Sequence, residues 1–192
     1  MTEIKHRGYL TKKQLAQTIK YLKKNGKLIK AEYEETVYFD TSIFPQIGDF
    51  ATGFSRVSLK SDQKGAVFRI KDGDPSDPKR NEISVAIKKK YCQNLIYILC
   101  HLGLKYGYYR PAYRQVFKLN NVIISIKTES VMGDHFEIEL KRGVSITDTT
   151  ITLLLKKFNL HFWSKVKYQD RIHTKMKKSP AINVFESKIW SK

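Results

Sequence analysis

Phe136-Glu137-Ile138-Glu139-Leu140 decides the fold. Successive side chains of a strand point to opposite faces, so this run puts both carboxylates on one side and the three apolar residues on the other. The same division recurs elsewhere. Glu3 and Lys5 flank Ile4; Arg56, Ser58 and Lys60 oppose Val57 and Leu59; Arg69 and Lys71 oppose Phe68 and Ile70. Arg80 and Glu82 oppose Ile83 and Val85, Ser125 and Lys127 oppose Ile124 and Ile126, and Arg114 and Lys118 lie in a further strand-like run. Single segments of this kind fit antiparallel sheets with one wetted face. Repeated Arg, Lys and Glu at two-residue spacing point further, to a barrel whose apolar outside carries helices and whose polar inside holds an anion.

Three helices can be placed by their caps and stripes. Thr11 followed by Gln14 forms a capping box ahead of Leu15, Ile19 and Leu22, and Gly26 ends the run. Tyr91, Leu95, Ile98 and Leu102 give a second stripe, stopped by Gly103, and Asp148 caps a third through Ile151, Leu154, Leu155 and Phe158. The expected class is α+β, strands with a polar inside and helices packed on their apolar outside. Asp72 to Lys79, with two prolines and a glycine, reads as a loop between two strands.

The 192 residues carry 36 Lys and Arg against 18 acids, a net charge of +18. Such a field attracts phosphates, nucleic acid or acidic lipid without choosing among them. No apolar run is long enough to span a bilayer and the basic N-terminus lacks the apolar core of a signal peptide, so a cytoplasmic protein with no membrane association is expected. Cys92 and Cys100, eight residues apart in a helical segment, offer neither a disulfide framework nor zinc spacing and read as core residues. From Lys156 onward ten Lys and Arg face two acids. That shift marks residues 173–192 as a basic C-terminal extension after a domain over 1–172; the basic surface makes RNA a candidate partner. The sequence says nothing about oligomeric state.

Glycine-rich phosphate loops, the helical His-Glu-x-x-His motif and the nucleophile elbow are all missing. His135, beside the glutamate pair, reads as structural rather than as a metal ligand. Carboxylates and cations remain, the donor chemistry of Mg²⁺ or Mn²⁺ with a phosphate substrate.

The order and spacing of six blocks resemble the CYTH family, also called triphosphate tunnel metalloenzymes. The blocks are Glu3-Ile4-Lys5, Tyr38-Phe39-Asp40-Thr41, Arg56 to Lys60, Phe68-Arg69-Ile70-Lys71, Arg80-Asn81-Glu82, and Gly133 to Glu139, together spanning roughly residues 1 to 170. The resemblance implies an eight-stranded antiparallel β-barrel, a tunnel in which Lys5, Arg56, Lys60, Lys71, Arg80 and Arg114 grip phosphate oxygens. Glu3, Glu137 and Glu139 would hold Mg²⁺ or Mn²⁺, and Glu82 would either support those ligands from behind or orient water as the catalytic carboxylate. It also implies a substrate class: inorganic tripolyphosphate, thiamine triphosphate or a nucleoside triphosphate, cleaved by hydrolysis. A class IV adenylyl cyclase making cyclic AMP, and a non-catalytic module that binds polyphosphate, nucleotide or an RNA 5′ end, are the alternatives. Four positions depart from the family pattern. Met1 replaces an opening glutamate, Ser58 one of a pair of arginines, Ser84 an acid, and Lys127 the aspartate that precedes the final glutamates. A lysine there would neutralise phosphate directly, adding to the anion grip while weakening the metal site; the alternative is a local register slip that turns Lys127 outward and gives Glu129 the acidic role.

Overall fold

The computed structural model describes residues 4–39, 55–62, 65–72, 81–140, 148–164, 174 and 182–187. Its contacts divide the chain into two compact units, Met1–Tyr33 with Ala112–Arg171, and Glu34–Pro111 with Ile172–Lys192. Two long strands, β2 (Lys27–Phe39) and β6 (Tyr106–Leu119), run through both.

The first unit contains β1 (Ile4–Tyr9), α1 (Lys12–Asn25), β7 (Val122–Thr128), β8 (His135–Leu140) and α3 (Thr149–Phe158). All its ladders are antiparallel: β1 on β8, β8 on β7, and β7 on β6. The sorting read from the sequence holds here. Phe136, Ile138, Ile124, Ile126 and Phe117 are all buried, and the core they form includes Leu22 of α1 with Ile151 and Leu154 of α3. Helix α1 starts on the capping box, Thr11 and Gln14 each reaching the other's backbone N–H. Asp148 caps α3, and Asn159 ends it in a left-handed conformation. A two-residue turn joins β6 to β7, with Asn120 at φ 53°, a region Asn tolerates better than most residues. Beyond β1 the chain returns alongside, and the Trp163 N–H donates to the Arg7 carbonyl at 2.7 Å. The approach is close enough to require Gly8, where a Cβ would stand 2.2 Å from the His161 carbonyl oxygen.

The second unit contains β3 (Ser55–Ser61), β4 (Ala66–Asp72), β5 (Asn81–Ile87), α2 (Cys92–His101) and β9 (Ile182–Asn183). Here β3 pairs with β2, β4 with β3, and β5 with β4, while β9 pairs with the start of β6. Val37, Phe39, Val57, Leu59, Ile96 and Leu99 are buried together with Cys92 and Cys100. Residues 182–187, from the segment read as a basic extension, bring Val184 into this core.

Two expectations are corrected in this unit. The buried stripe of α2 is Cys92, Ile96, Leu99 and Cys100, whereas Ile98 and Leu102 are exposed. The segment is apolar on more than one face, so two stripes one residue apart fit the same period, and the one with smaller side chains faces inward. On β5, Ile83 and Val85 are exposed at 69% and 52%, because this strand ends the hydrogen-bonded order and alternation alone does not reveal an edge.

The complete order is β1-β8-β7-β6-β2-β3-β4-β5, eight antiparallel strands with helices, as the sequence led us to expect. It ends at β1 and β5, and no ladder joins these two among the described residues, so the sheet is not closed by hydrogen bonds.

Candidate anion and metal site

In the first unit the charged side chains share one sheet face because the register requires it. Arg7 on β1 and Ser125 on β7 are the direct cross-strand partners of Glu137 on β8, and Lys127 on β7 is the partner of Arg114 on β6. Directly opposed and diagonal neighbours on one face are within side-chain reach. Arg7 Nε donates to Glu137 Oε1 at 2.6 Å, and Lys127 Nζ lies 3.6 Å from Glu137 Oε2. Arg114 Nη2 donates to Glu139 Oε1 at 3.2 Å and to Ser125 Oγ at 3.0 Å. Glu137 is 5% exposed, so its charge depends on these cations rather than on water. Three cations thus face two carboxylates. Lys127 is on the Glu137 side, and Glu129 instead accepts from the Tyr33 hydroxyl at 2.5 Å.

His135 belongs to the same face, two residues before Glu137. A carbonyl can only accept, so the 2.8 Å contact between its Nδ1 and the Gly133 oxygen places the proton on Nδ1. Burial pushes its pKa down to about 4, with nearby Lys127 and Arg7 acting in the same direction and Glu137 opposing them. The ring is neutral at neutral pH and lies 5.7 Å from that of Trp163.

The second unit has its own charged cluster. Lys60 Nζ lies 2.6 Å from Glu34 Oε2. Lys71 Nζ lies 2.5 Å from Glu82 Oε2, and Arg69 Nε 3.3 Å from Glu82 Oε1. Glu82, the proposed water-orienting group, is therefore bracketed by cations. The backbones of Lys5 and Arg56 are paired with Glu139 and Lys71 respectively. Glu3 and Arg80 lie outside the described residues.

Sequence reading missed three of these groups. Arg7 continues the alternation of Glu3 and Lys5. Glu32 and Glu34 on β2 repeat the Glu-x-Glu spacing of β8, and both are buried, Glu32 with Lys30 at 2.5 Å. The neighbouring Glu35 obscures their parity in the sequence.

A divalent ion needs several hard oxygens with lone pairs to share. Each oxygen of Glu137 already faces a cation, and Glu139 is bonded to Arg114. A +2 ion at ~4 Å from one such cation is opposed by on the order of 8 kcal/mol at an effective dielectric of 20. Among the described residues, no three His, Cys, Asp or Glu side chains are grouped to hold a metal. The described donor set does not fit Mg²⁺ or Mn²⁺.

No family model matches the chain, and no curated protein matches its sequence. Solved structures do match its fold. A conserved hypothetical protein from Pyrococcus furiosus aligns at TM-score 0.63 and 18% identity, over 88% of this chain and 98% of that one. A Vibrio parahaemolyticus protein provisionally named an adenylate cyclase aligns at 0.56 and 14%, over 90% and 98%. A Hippeastrum protein, provisionally named an adenylyl cyclase and described by a dominant triphosphatase activity, aligns at 0.56 and 16%, over 83% and 88%. The chain therefore has the fold of the proteins its sequence blocks resemble. No helix among its described residues is long and apolar enough to cross a membrane.

Proposed function

We propose that this protein binds a triphosphate-containing anion on the charged sheet face of its first unit. The observation that carries this reading is the placement of Arg7, Arg114 and Lys127 around Glu137 and Glu139, an excess of positive charge held on rigid strands. Guanidinium groups match phosphate oxygens in geometry as well as charge, and an ammonium adds a point charge. The net charge of +18 favours encounter with such a ligand.

Hydrolysis is the second reading, favoured by the triphosphatase activity described for the Hippeastrum protein of the same fold. Phosphoryl transfer asks a protein mainly to position its substrate and stabilise developing charge, which fixed cations do. The resemblance gives Glu82 the role of orienting water, within the second unit's own cluster with Lys71 and Arg69.

The test is to incubate the protein with tripolyphosphate, thiamine triphosphate, ATP and 5′-triphosphorylated RNA, each with Mg²⁺, Mn²⁺ or EDTA. We expect saturable binding of at least one. Released phosphate establishes hydrolysis, cyclic AMP with pyrophosphate establishes a cyclase, and binding without turnover establishes a module. No binding of any triphosphate overturns the proposal.

A further inference from the structure

We infer that Arg7, Lys127 and Arg114 do in this chain the neutralising work that a divalent ion would otherwise do, so that a linear triphosphate is held without bound metal. The inference rests on the anion-binding reading above and concerns how that site is charged. Its starting point is Glu137, whose two carboxylate oxygens are occupied separately, Oε1 by Arg7 Nε at 2.6 Å and Oε2 by Lys127 Nζ at 3.6 Å. Both contacts follow from the ladder. Arg7 is the cross-strand partner of Glu137, and Lys127 is two residues from its other partner, Ser125.

A carboxylate waiting for an ion would face a gap lined by further oxygens. Glu137 instead lies buried between two permanent charges of opposite sign. Arg114 repeats the arrangement one step along β8, bonded to Glu139 and steadied by Ser125, which is fully buried. The carboxylates then act as braces. They hold the cations on one sheet face and limit mutual repulsion among them, and among the described residues three cations stand against these two carboxylates.

Two consequences separate this arrangement from a metal site. Binding of inorganic tripolyphosphate should not need a divalent ion, and Mn²⁺ alone should not bind saturably. Glu137→Gln should also have opposite effects under the two alternatives. It removes a negative charge from beside the ligand while keeping an acceptor for Arg7, so it strengthens metal-free binding; at a metal ligand it would abolish the metal-dependent part.

The experiment is calorimetric titration of the full chain with tripolyphosphate in EDTA and in Mg²⁺, together with Mn²⁺ titration followed by electron paramagnetic resonance. We expect dissociation constants within about threefold of each other in EDTA and Mg²⁺, and no saturation by Mn²⁺ below millimolar concentration. Glu137→Gln, checked for folding by circular dichroism, should bind threefold or more tightly in EDTA. Tripolyphosphate binding that appears only with Mg²⁺, or saturable Mn²⁺ binding lost in Glu137→Gln, overturns the inference while leaving the anion-binding reading intact. No binding in either buffer overturns that reading and the inference with it. The comparison of buffers uses unaltered protein, so it decides the matter even where the variant fails to fold.

Discussion

Arg7 and Glu137, 130 residues apart in the chain, meet at 2.6 Å as opposed residues of the β1–β8 ladder. The pair joins the charged face to the architecture, because β8, the strand that β1 pairs with here, also carries Phe136 and Ile138 of the first unit's core. Removing Arg7 leaves the buried Glu137 carboxylate with Lys127 at 3.6 Å and without its 2.6 Å hydrogen bond, and losing one partner of such a pair typically costs more than the pair contributes. Arg7→Met should therefore destabilise the protein by about 3 kcal/mol, read from urea unfolding. Arg7→Met combined with Glu137→Met should recover part of that loss. Equal loss in the single and double variants would show that the two side chains are not coupled.

Burial of His135 makes a prediction about pH. Its folded pKa, about 4, lies below the usual 6.5, so between these values the unfolded chain binds a proton that the native chain refuses. Stability should be intact at neutral pH, fall as pH drops below 6.5, and stop responding to this group below about 4. One pKa unit corresponds to about 1.4 kcal/mol, so the contribution lost between pH 7 and 5 is about 2 kcal/mol. His135→Phe keeps a ring against Trp163 and should remove that portion of the slope in denaturant titrations at the two pH values. An unchanged slope would place the titrating group elsewhere.

Gly8 tests the return of the chain beside β1. An added Cβ would stand 2.2 Å from the His161 carbonyl and 2.4 Å from the Phe136 ring, and a backbone oxygen cannot turn aside as a flexible side chain can. Gly8→Ala should cost about 2 to 3 kcal/mol and perturb the near-ultraviolet dichroism of Trp163, whose backbone N–H is bonded to the neighbouring Arg7 carbonyl. A variant of native stability and spectrum would refute the packing of residues 161–163 on this strand.

Legibility in the sequence followed how local each signal was. Alternation on β7 and β8 and the caps of α1 and α3 are written in consecutive residues, and the structure has them in place. The facing of α2 was not legible, because an apolar helical segment supports two stripes and tertiary packing selects one. The outward Ile83 and Val85 were missed since edge position is a property of the sheet, not of the strand. For the charged site, the side on which Glu137, Glu139, Lys127 and Arg114 fall follows from parity. That Arg7 occupies Glu137 depends on a pairing between distant segments, which parity does not specify.

In the second unit, Lys71 reaches Glu82 from the adjacent strand, and Arg69 supports the same carboxylate. If this cluster also contributes to anion binding, Lys71→Ala removes a ligand cation while Glu82 keeps Arg69, so binding should suffer more than folding. Tripolyphosphate affinity should fall about tenfold, equivalent to ~1.4 kcal/mol. Unfolding free energy should change by less than about 1 kcal/mol, as for partly exposed ion pairs. Unchanged affinity would confine the binding function to the first unit.

Lys127 offers the most direct exchange between a cation-filled and a metal-filled site, because it stands where the resemblance would place an aspartate. Lys127→Asp reverses the charge beside Glu137 and sets a third carboxylate near Glu137 and Glu139 on one sheet face. Arg7 still satisfies Glu137 Oε1, while Oε2 loses the repulsion that the ammonium of Lys127 presents to a hard cation. Tripolyphosphate binding in EDTA should weaken by tenfold or more, and part of it should return on adding Mg²⁺ or Mn²⁺, measured by the same titrations. Binding that matches the unaltered protein in both buffers would make Lys127 a bystander and remove the main support for a site charged by its own side chains.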